Sequence, residues 1–294
     1  MEYTQNTKTS PFPTEHWWSK DTVAVITGAN KGIGFSLAKR LAQLGLTVVL
    51  TSRDAIKGQE AVESLRAQNL HVEYSQLDVS NLQSISSFVF WLSNKFGGLD
   101  ILINNAAVSF NEVDTNSVEY AETVIKTNFY GPKLLIQALL PLFRRSTTAS
   151  RILNISSQLG LLNKVKNPKL REMLRNEENL CEGMIDQMVA NFLQSVKNGT
   201  WKEEGWPEIW TDYSVSKLAL NAHSSILARL HGNDHFKVNC FCPGYTRTNM
   251  TGGRGSRTAD EAAELAVNII LLPRDRLPNG KFFKLSTPLL FSKL

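Results

Sequence analysis

The sequence predicts an α/β fold: a single doubly wound domain on a seven-stranded parallel sheet, with a helical insertion in its second half. Two observations carry this prediction. From Thr22 onward, short β-rich runs alternate with helical runs, the rhythm of βαβ units stacked into a parallel sheet. The first of these runs passes through a glycine-rich stretch straight into a helical pattern, the way such a series opens when its first turn must be tight.

The elements follow in order. Strand VAVIT covers 23–27, a helix covers 33–44, strand TVVLT covers 47–51 and a helix covers 55–68. Then come strand HVEYSQLDV, a helix over 81–96, strand LDILINNA and one long helix near 117–143. Strand RILNIS covers 151–156, a helix starts near 213, strand FKVNCFC and a helix near 258–271 follow, and the short FFKL at 282–285 is the seventh strand. Residues 1–20 are polar with Pro11 and Pro13 and read as a flexible arm ending in Trp17 and Trp18. Residues 21–294 read as the one domain. The segment 158–212 is too long for a loop in a compact domain and reads as a structured insert. Within it Met184, Met188, Phe192 and Val196 recur every four residues beside Ile185, Val189 and Leu193, one apolar face of an amphipathic helix. That face is expected to pack on the core and also to roof a substrate pocket.

Composition narrows the function. With 294 residues, 42% hydrophobic and 20% charged, the chain can bury a large core without disulfides or metal. The 32 basic and 27 acidic residues leave +5. They are scattered, which reads as a solvated surface and not as a nucleic-acid footprint. Cys181, Cys240 and Cys242 are odd in number, and Cys-Phe-Cys lacks the spacing of a zinc or redox pair, so no metal and a reducing compartment are expected. No apolar run is long enough to span a membrane, and the first twenty residues hold no continuous apolar region. A cytoplasmic protein that does not enter membranes is expected.

The glycine stretch is Thr27-Gly28-Ala29-Asn30-Lys31-Gly32-Ile33-Gly34. Glycines let the backbone turn tightly and approach a pyrophosphate, whose charge meets the free N–H groups at a helix N-terminus. In this strand-to-helix context it is the dinucleotide fingerprint of a Rossmann-type domain. After the second strand stands Ser52-Arg53, with no carboxylate until Asp54. An acid there would select NAD, whereas Arg53, with Lys31 in the glycine turn, suits a 2′-phosphate. NADPH is therefore the expected cofactor. Farther on, Tyr213 and Lys217 form Y-x-x-x-K at a helix start, so both lie on one face. A cation beside the phenol favours phenolate and draws its pKa from about 10 toward working pH, where it serves as acid or base.

With these motifs in place, the chain resembles the short-chain dehydrogenase/reductase family from about residue 21 to 285. The family pattern T-G-x-x-x-G-x-G is Thr27 to Gly34, and its adenine-contacting Asp is Asp78, followed by Val79. Its N-N-A-G stretch is Asn104-Asn105-Ala106-Ala107, with Ala107 in place of the glycine, which is harmless if φ there is negative. Its helix Asn is Asn128, its serine is Ser157, and P-G-x-x-x-T is Pro243-Gly244-Tyr245-Thr246-Arg247-Thr248. The long gap from Ser157 to Tyr213, with Glu-Gly-Trp-Pro at 204–207, is similar to the branch of monomeric carbonyl reductases and of plant reductases acting on menthone-type terpenoids and salutaridine.

The resemblance implies NADPH-dependent reduction of a ketone or aldehyde. Tyr213 would donate the proton and Ser157 would hydrogen-bond the carbonyl oxygen. Lys217 would lower the tyrosine pKa and hold the nicotinamide ribose, and Asn128 would fix a water relaying protons to Lys217. Gly28, Asn30, Lys31, Gly32, Ile33, Gly34, Arg53, Asp78, Val79, Asn105, Ala106, Pro243, Gly244, Thr246 and Thr248 would join Tyr213 and Lys217 in holding the cofactor. The insert would cover helix faces that build tetramers in other members, implying a monomer. Gln158, Leu159, Phe110, Tyr245, Trp210 and the insert's Met and Phe side chains are expected to wall an apolar pocket for a cyclic or aromatic carbonyl. Two other enzymes fit the scaffold, an enone C=C reductase and an alcohol dehydrogenase. A relative in this branch that reduces C=C carries an acidic residue at the tyrosine position, so Tyr213 favours carbonyl chemistry. A catalytically silent NADP-binding protein is the reading of another class, and it would be marked by loss of the Tyr, Lys or Ser.

Overall fold

The computed structural model describes residues 16–110, 116–144, 150–231, 236–284 and 290–293. Its first half lays down β1 (Val23–Ile26), α1 (Gly32–Gln43), β2 (Thr47–Ser52), α2 (Ala55–Arg66), β3 (Val72–Gln76), α3 (Leu82–Phe96) and β4 (Ile101–Asn104). Next come α4 (Val118–Ile125), a π turn (Lys126–Tyr130), α5 (Gly131–Leu139) and β5 (Ser150–Ile155). The insert folds as α6 (Pro168–Arg175) and α7 (Glu182–Asn198), after which α8 (Thr211–His231), β6 (Phe236–Cys242), α9 (Ala259–Ile270), β7 (Lys281–Lys284) and β8 (Leu290–Lys293) complete the chain.

The strands align as β3-β2-β1-β4-β5-β6-β7-β8. The seven expected strands are all parallel; the eighth, which the sequence reading did not include, pairs antiparallel along β7 at the edge. Alternate strand residues feed opposite layers. Ala24, Ile26, Val48 and Leu50 pack under α1, α2 and α9, while Val23, Val25, Val49 and Leu102 pack under α3, α5 and α8. With both faces covered, the strands are buried along nearly their whole length. The order in which the chain adds strands reverses between β1 and β4, which opens a crevice at the carboxyl ends of these strands.

One expectation changes. The long helix near 117–143 is interrupted by the π turn at Lys126–Tyr130, where the Gly131 N–H reaches back to Lys126 O. Pro132 explains part of this, because it lacks the N–H that would bond the Asn128 carbonyl in an unbroken α-helix. The end of the 1–20 arm packs on the body: Trp18 is buried, and the Trp17 indole donates to Leu271 O (3.1 Å) and lies over the buried Arg151. Residues 1–15 lie outside the described residues. The insert's apolar face packs on the core, as expected. Met188 and Phe192 are buried with Trp206, Val215 and Leu218, which seats α7 on α8. Among the described residues, no helix is long and apolar enough to cross a membrane.

Candidate active site

The site is assembled at the carboxyl ends of the central strands. The turn from β1 to α1 holds Gly28 and Gly32 in the left-handed region (φ 61° and 57°). A Cβ on Gly28 would stand 2.8 Å from Ala106 Cα, one on Gly34 2.5 Å from Asn105 Nδ2, and one on Gly32 3.4 Å from Thr248 Cγ2. These contacts bring the loops after β4 and β6 against the glycine turn. Hydrogen bonds fix the first pair: Asn105 Nδ2 donates to Thr27 O (2.9 Å) and Gly28 O (3.0 Å), and Thr27 Oγ1 accepts from the Asn105 and Ala106 N–H groups (3.0 Å each). Asn105 thus shapes the turn with its own side chain. Ala107 is not among the non-glycine residues with positive φ, so glycine is not required there.

The turn fits a phosphate-bearing cofactor. Lys31, the extended residue before α1, makes no side-chain cap, and the first helical turn carries no acid, so nothing in the protein's own side chains competes for an anion at those N–H groups. After β2, Arg53 is exposed, as is Lys31. The nearest acid, Asp54, is engaged as the cap of α2, accepting from the Lys57 N–H (3.1 Å) and pairing with its ammonium (3.4 Å). Past β3, Asp78 Oδ1 accepts from the Ser80 N–H (2.9 Å) and hydroxyl (2.7 Å), and Val79 packs where Gly131 leaves room beside the π turn. The loop after β6 places Gly244 at φ 72°. There Thr246 Oγ1 donates to Pro243 O (3.1 Å), and Thr248 begins a short capped turn.

Three side chains come from helices. Asn128 sits in the π turn, fully buried, where its Oδ1 accepts from the Val108 N–H (2.8 Å) and its Nδ2 donates to Val108 O (2.9 Å) and Ser216 Oγ (3.2 Å). π turns of this kind are frequent at functional sites; here it clips the loop after β4 to α8. Tyr213 and Lys217 share a face of α8, the ammonium lying 5.5 Å from the phenol ring centre. Lys217 Nζ donates to Ile155 O (2.8 Å). Ser157 follows β5 and accepts from the Leu159 N–H (3.2 Å).

The electrostatics differ from the simple expectation. Burial pushes the Tyr213 phenol above its usual range, Cys242 adding to this and Ser157 opposing it. The tyrosine is therefore held protonated. Burial also lowers the Lys217 pKa to about 8, against the influence of Cys240 and Cys242. Burial pushes the Cys240 thiol up to about 12, so it stays neutral.

The structure adds residues that the sequence reading missed. Cys242 Sγ accepts from the Gln158 N–H (3.2 Å). Ser156 Oγ donates to Asn221 Oδ1 (2.6 Å), and Asn221 Nδ2 donates to Gly160 O (3.0 Å). Gly160 lies against the Lys217 backbone. The turn carrying Ser157 is thereby stitched to the helix carrying Tyr213. Asn221 follows Lys217 by four residues, so the i, i+4, i+8 stripe was the available signal.

Of the expected pocket wall, Gln158, Phe110 and Tyr245 are exposed and Leu159 and Trp210 half-buried. Phe110 stacks on Tyr120 (3.9 Å between centres), whereas Met188 and Phe192 are withdrawn into the core. A cavity lined by Leu162, Leu174, Leu180 and Leu218 includes none of Ser157, Tyr213 or Lys217, so it is not where their chemistry would act.

Known proteins match this architecture. A family profile described as short chain dehydrogenase matches residues 22–168. The (+)-neomenthol dehydrogenase of Arabidopsis thaliana is 38% identical over 283 residues, covering 88% of this chain and 95% of that protein. The carbonyl reductase (NADPH) 1 of Bos taurus is 36% identical over 271 residues, covering 90% and 96%. The structure of salutaridine reductase from Papaver somniferum superposes with a TM-score of 0.84 at 37% identity, covering 90% of this chain and all of that one. The chain therefore belongs to the short-chain dehydrogenase family and is an oxidoreductase.

Proposed function

We propose that this enzyme reduces a ketone or aldehyde to the alcohol with NADPH, and that Tyr213 is the proton donor. The observation that carries the reading is the Ser157–Tyr213–Lys217 arrangement: a phenol held protonated by burial, influenced by Ser157 and with an ammonium beside its ring. When bound, the cofactor supplies the hydride that adds to the carbonyl carbon. The protein's part is at the oxygen. The Ser157 hydroxyl orients the carbonyl oxygen, and such a donor aimed at developing negative charge contributes on the order of 3 kcal/mol. Tyr213 gives that oxygen its proton, and the charge left on the phenolate is stabilised by Lys217. Asn128 positions the loop after β4 through Val108 and reaches α8 through Ser216.

NADPH is favoured over NADH because Lys31 and Arg53 are both exposed cations flanking the turn, while Asp54 is committed to its helix cap. The printed name of the Bos taurus relative includes NADPH, which supports the same choice. The relatives named for neomenthol and salutaridine support an apolar cyclic substrate. The protein acts as a monomer in this reading, because α7 covers the α4 and α8 surfaces. Loss of NADPH absorbance against cyclic terpenoid ketones, aromatic aldehydes and enones tests the reaction. Tyr213→Phe should lose nearly all kcat and keep NADPH binding. Unchanged turnover in that variant would overturn the assignment. Arg53→Ala should raise the KM for NADPH about tenfold, the loss of one charge-assisted contact, and leave NADH nearly unaffected; equal losses would overturn the cofactor choice.

A further inference from the structure

Position 210 holds a tryptophan where the backbone suits a glycine. Its φ is 45°, and Asn69 and Trp210 are the non-glycine residues with positive φ among those described. That region crowds any Cβ and is a true outlier for a bulky side chain. Such strain persists where the surroundings dictate the backbone, and it concentrates at functional sites. Here the surroundings do dictate it. Thr211 Oγ1 donates to Glu208 O (3.5 Å), Ser214 Oγ to Ile209 O (2.6 Å) and the Ser214 N–H to Trp210 O (2.7 Å). The first turn of α8 thus takes the three carbonyls that precede it. All of these bonds use groups that any residue at 210 would leave in place.

What the tryptophan alone contributes is its ring. The indole meets the Tyr213 ring edge to face, 6.3 Å between centres and 83° between planes, and it is half-buried, with the rest open to a ligand. A carbonyl whose oxygen rests on the Ser157 and Tyr213 hydroxyls carries its remaining atoms past this indole. We propose that Trp210 forms a wall of the substrate site and selects carbonyls borne on flat aromatic rings over those borne on saturated rings of equal size. This rests on the reading of Tyr213 as donor to a carbonyl. The physical basis is that ring pairs gain stabilisation beyond their buried area only when both partners are aromatic.

Benzaldehyde and cyclohexanecarbaldehyde form a matched test pair. Wild type should favour benzaldehyde in kcat/KM. Trp210→Ala should raise the KM for benzaldehyde roughly five- to tenfold, the size of an aromatic pair contact, and that for the saturated aldehyde much less. Trp210→Phe should keep most of the preference. Trp210→Gly should lose it yet melt at or above the temperature of Trp210→Ala, because glycine accepts the bend. Equal losses on both aldehydes in Trp210→Ala, or a glycine variant that melts below the alanine one, would overturn the proposal. Calorimetric binding of benzyl alcohol and cyclohexylmethanol separates the two levels of the argument. If wild type reduces neither aldehyde nor any of the cyclic ketones above, the carbonyl reading falls. In that case tighter binding of benzyl alcohol that disappears in Trp210→Ala still supports the wall, and equal binding of both alcohols overturns it.

Discussion

Replacing Gly160 by alanine adds one methyl group at the point where the turn after Ser157 touches α8. That methyl would stand 2.5 Å from the Lys217 carbonyl carbon and 2.7 Å from both Leu218 N and Lys217 Cβ. Carbon atoms settle at about 3.5 to 4.0 Å, so turn and helix must part by about 1 Å. The obstacles are largely backbone, which cannot swing aside. Gly160 is not among the glycines with positive φ, so alanine meets no dihedral penalty and the variant isolates the contact. Overpacking of this kind costs about 1–3 kcal/mol, enough to lower Tm by roughly 5 °C in a chain of this size. The shift passes directly to the Ser157–Tyr213 pair, since Asn221 bonds Gly160 O and Lys217 bonds Ile155 O on either side of Ser157. A misplacement near 1 Å costs on the order of a hundredfold in rate. Saturating kcat, Tm and NADPH affinity should be measured together. The expected result is a large fall in kcat with NADPH affinity nearly unchanged, because the glycine turn lies on β1 and α1. A kcat within about threefold of wild type at unaltered Tm would refute the reasoning.

Two further outcomes are expected. With its pKa near 8, Lys217 loses its proton as pH rises through that value, so kcat/KM should fall on the alkaline side. Lys217→Arg should move that limb beyond pH 10, roughly where guanidinium still keeps its charge; a wild-type profile flat from about pH 7 to 9.5 would sink this. Trp17→Ala removes the ring whose centre lies 3.7 Å from the Arg151 guanidinium carbon. Arg151 is fully buried, its pKa drawn to about 9 by burial, and it donates to the Ile270 and Leu272 carbonyls. Loss of the desolvated cation–π contact and of packing should cost about 3 kcal/mol. Calorimetry should therefore show a Tm drop of several degrees. The kcat should be unchanged, because Arg151 lies at the start of β5 and the site at its end.

The glycine turn was legible because its chemistry is local: Gly28 and Gly32 occupy the left-handed backbone that the motif requires. Tyr213 and Lys217 were legible because a helix converts spacing into a shared face. What escaped depends on contacts between distant segments. Gly160 and Asn221 meet only because β5 delivers the turn after Ser157 onto α8. The apolar stripe at 184–196 showed which face of α7 is buried but not what lies against it. Met188, Val189 and Phe192 prove to lie against Val215 and Leu218 of α8. The π turn left one trace, Gly131-Pro132 inside a helical pattern. β8 lies after Pro288 and gains its strand character from pairing with β7.

The insert does more than fill space, because it joins the two helical segments that carry the site. Lys133, at the start of α5 just beyond the π turn of Asn128, donates to both Asp186 oxygens (2.8 and 2.7 Å) and lies 3.4 Å from Glu182. Glu182, at the head of α7, also lies 3.4 Å from His223, which is buried in α8 ten residues past Tyr213. That imidazole is the main influence holding the Glu182 carboxyl down at about 2. A charge network of this kind, in contact with buried Lys133 and His223, fixes orientation more than it adds stability. On the apolar side, Met188, Val189 and Phe192 pack with Val215 and Leu218, which flank Lys217. The insert therefore braces α8 on one face while Gly160 and Asn221 brace it on another. Tyr213 sits at the only turn of that helix preceding both supports, where the strained Trp210 backbone sets its entry angle.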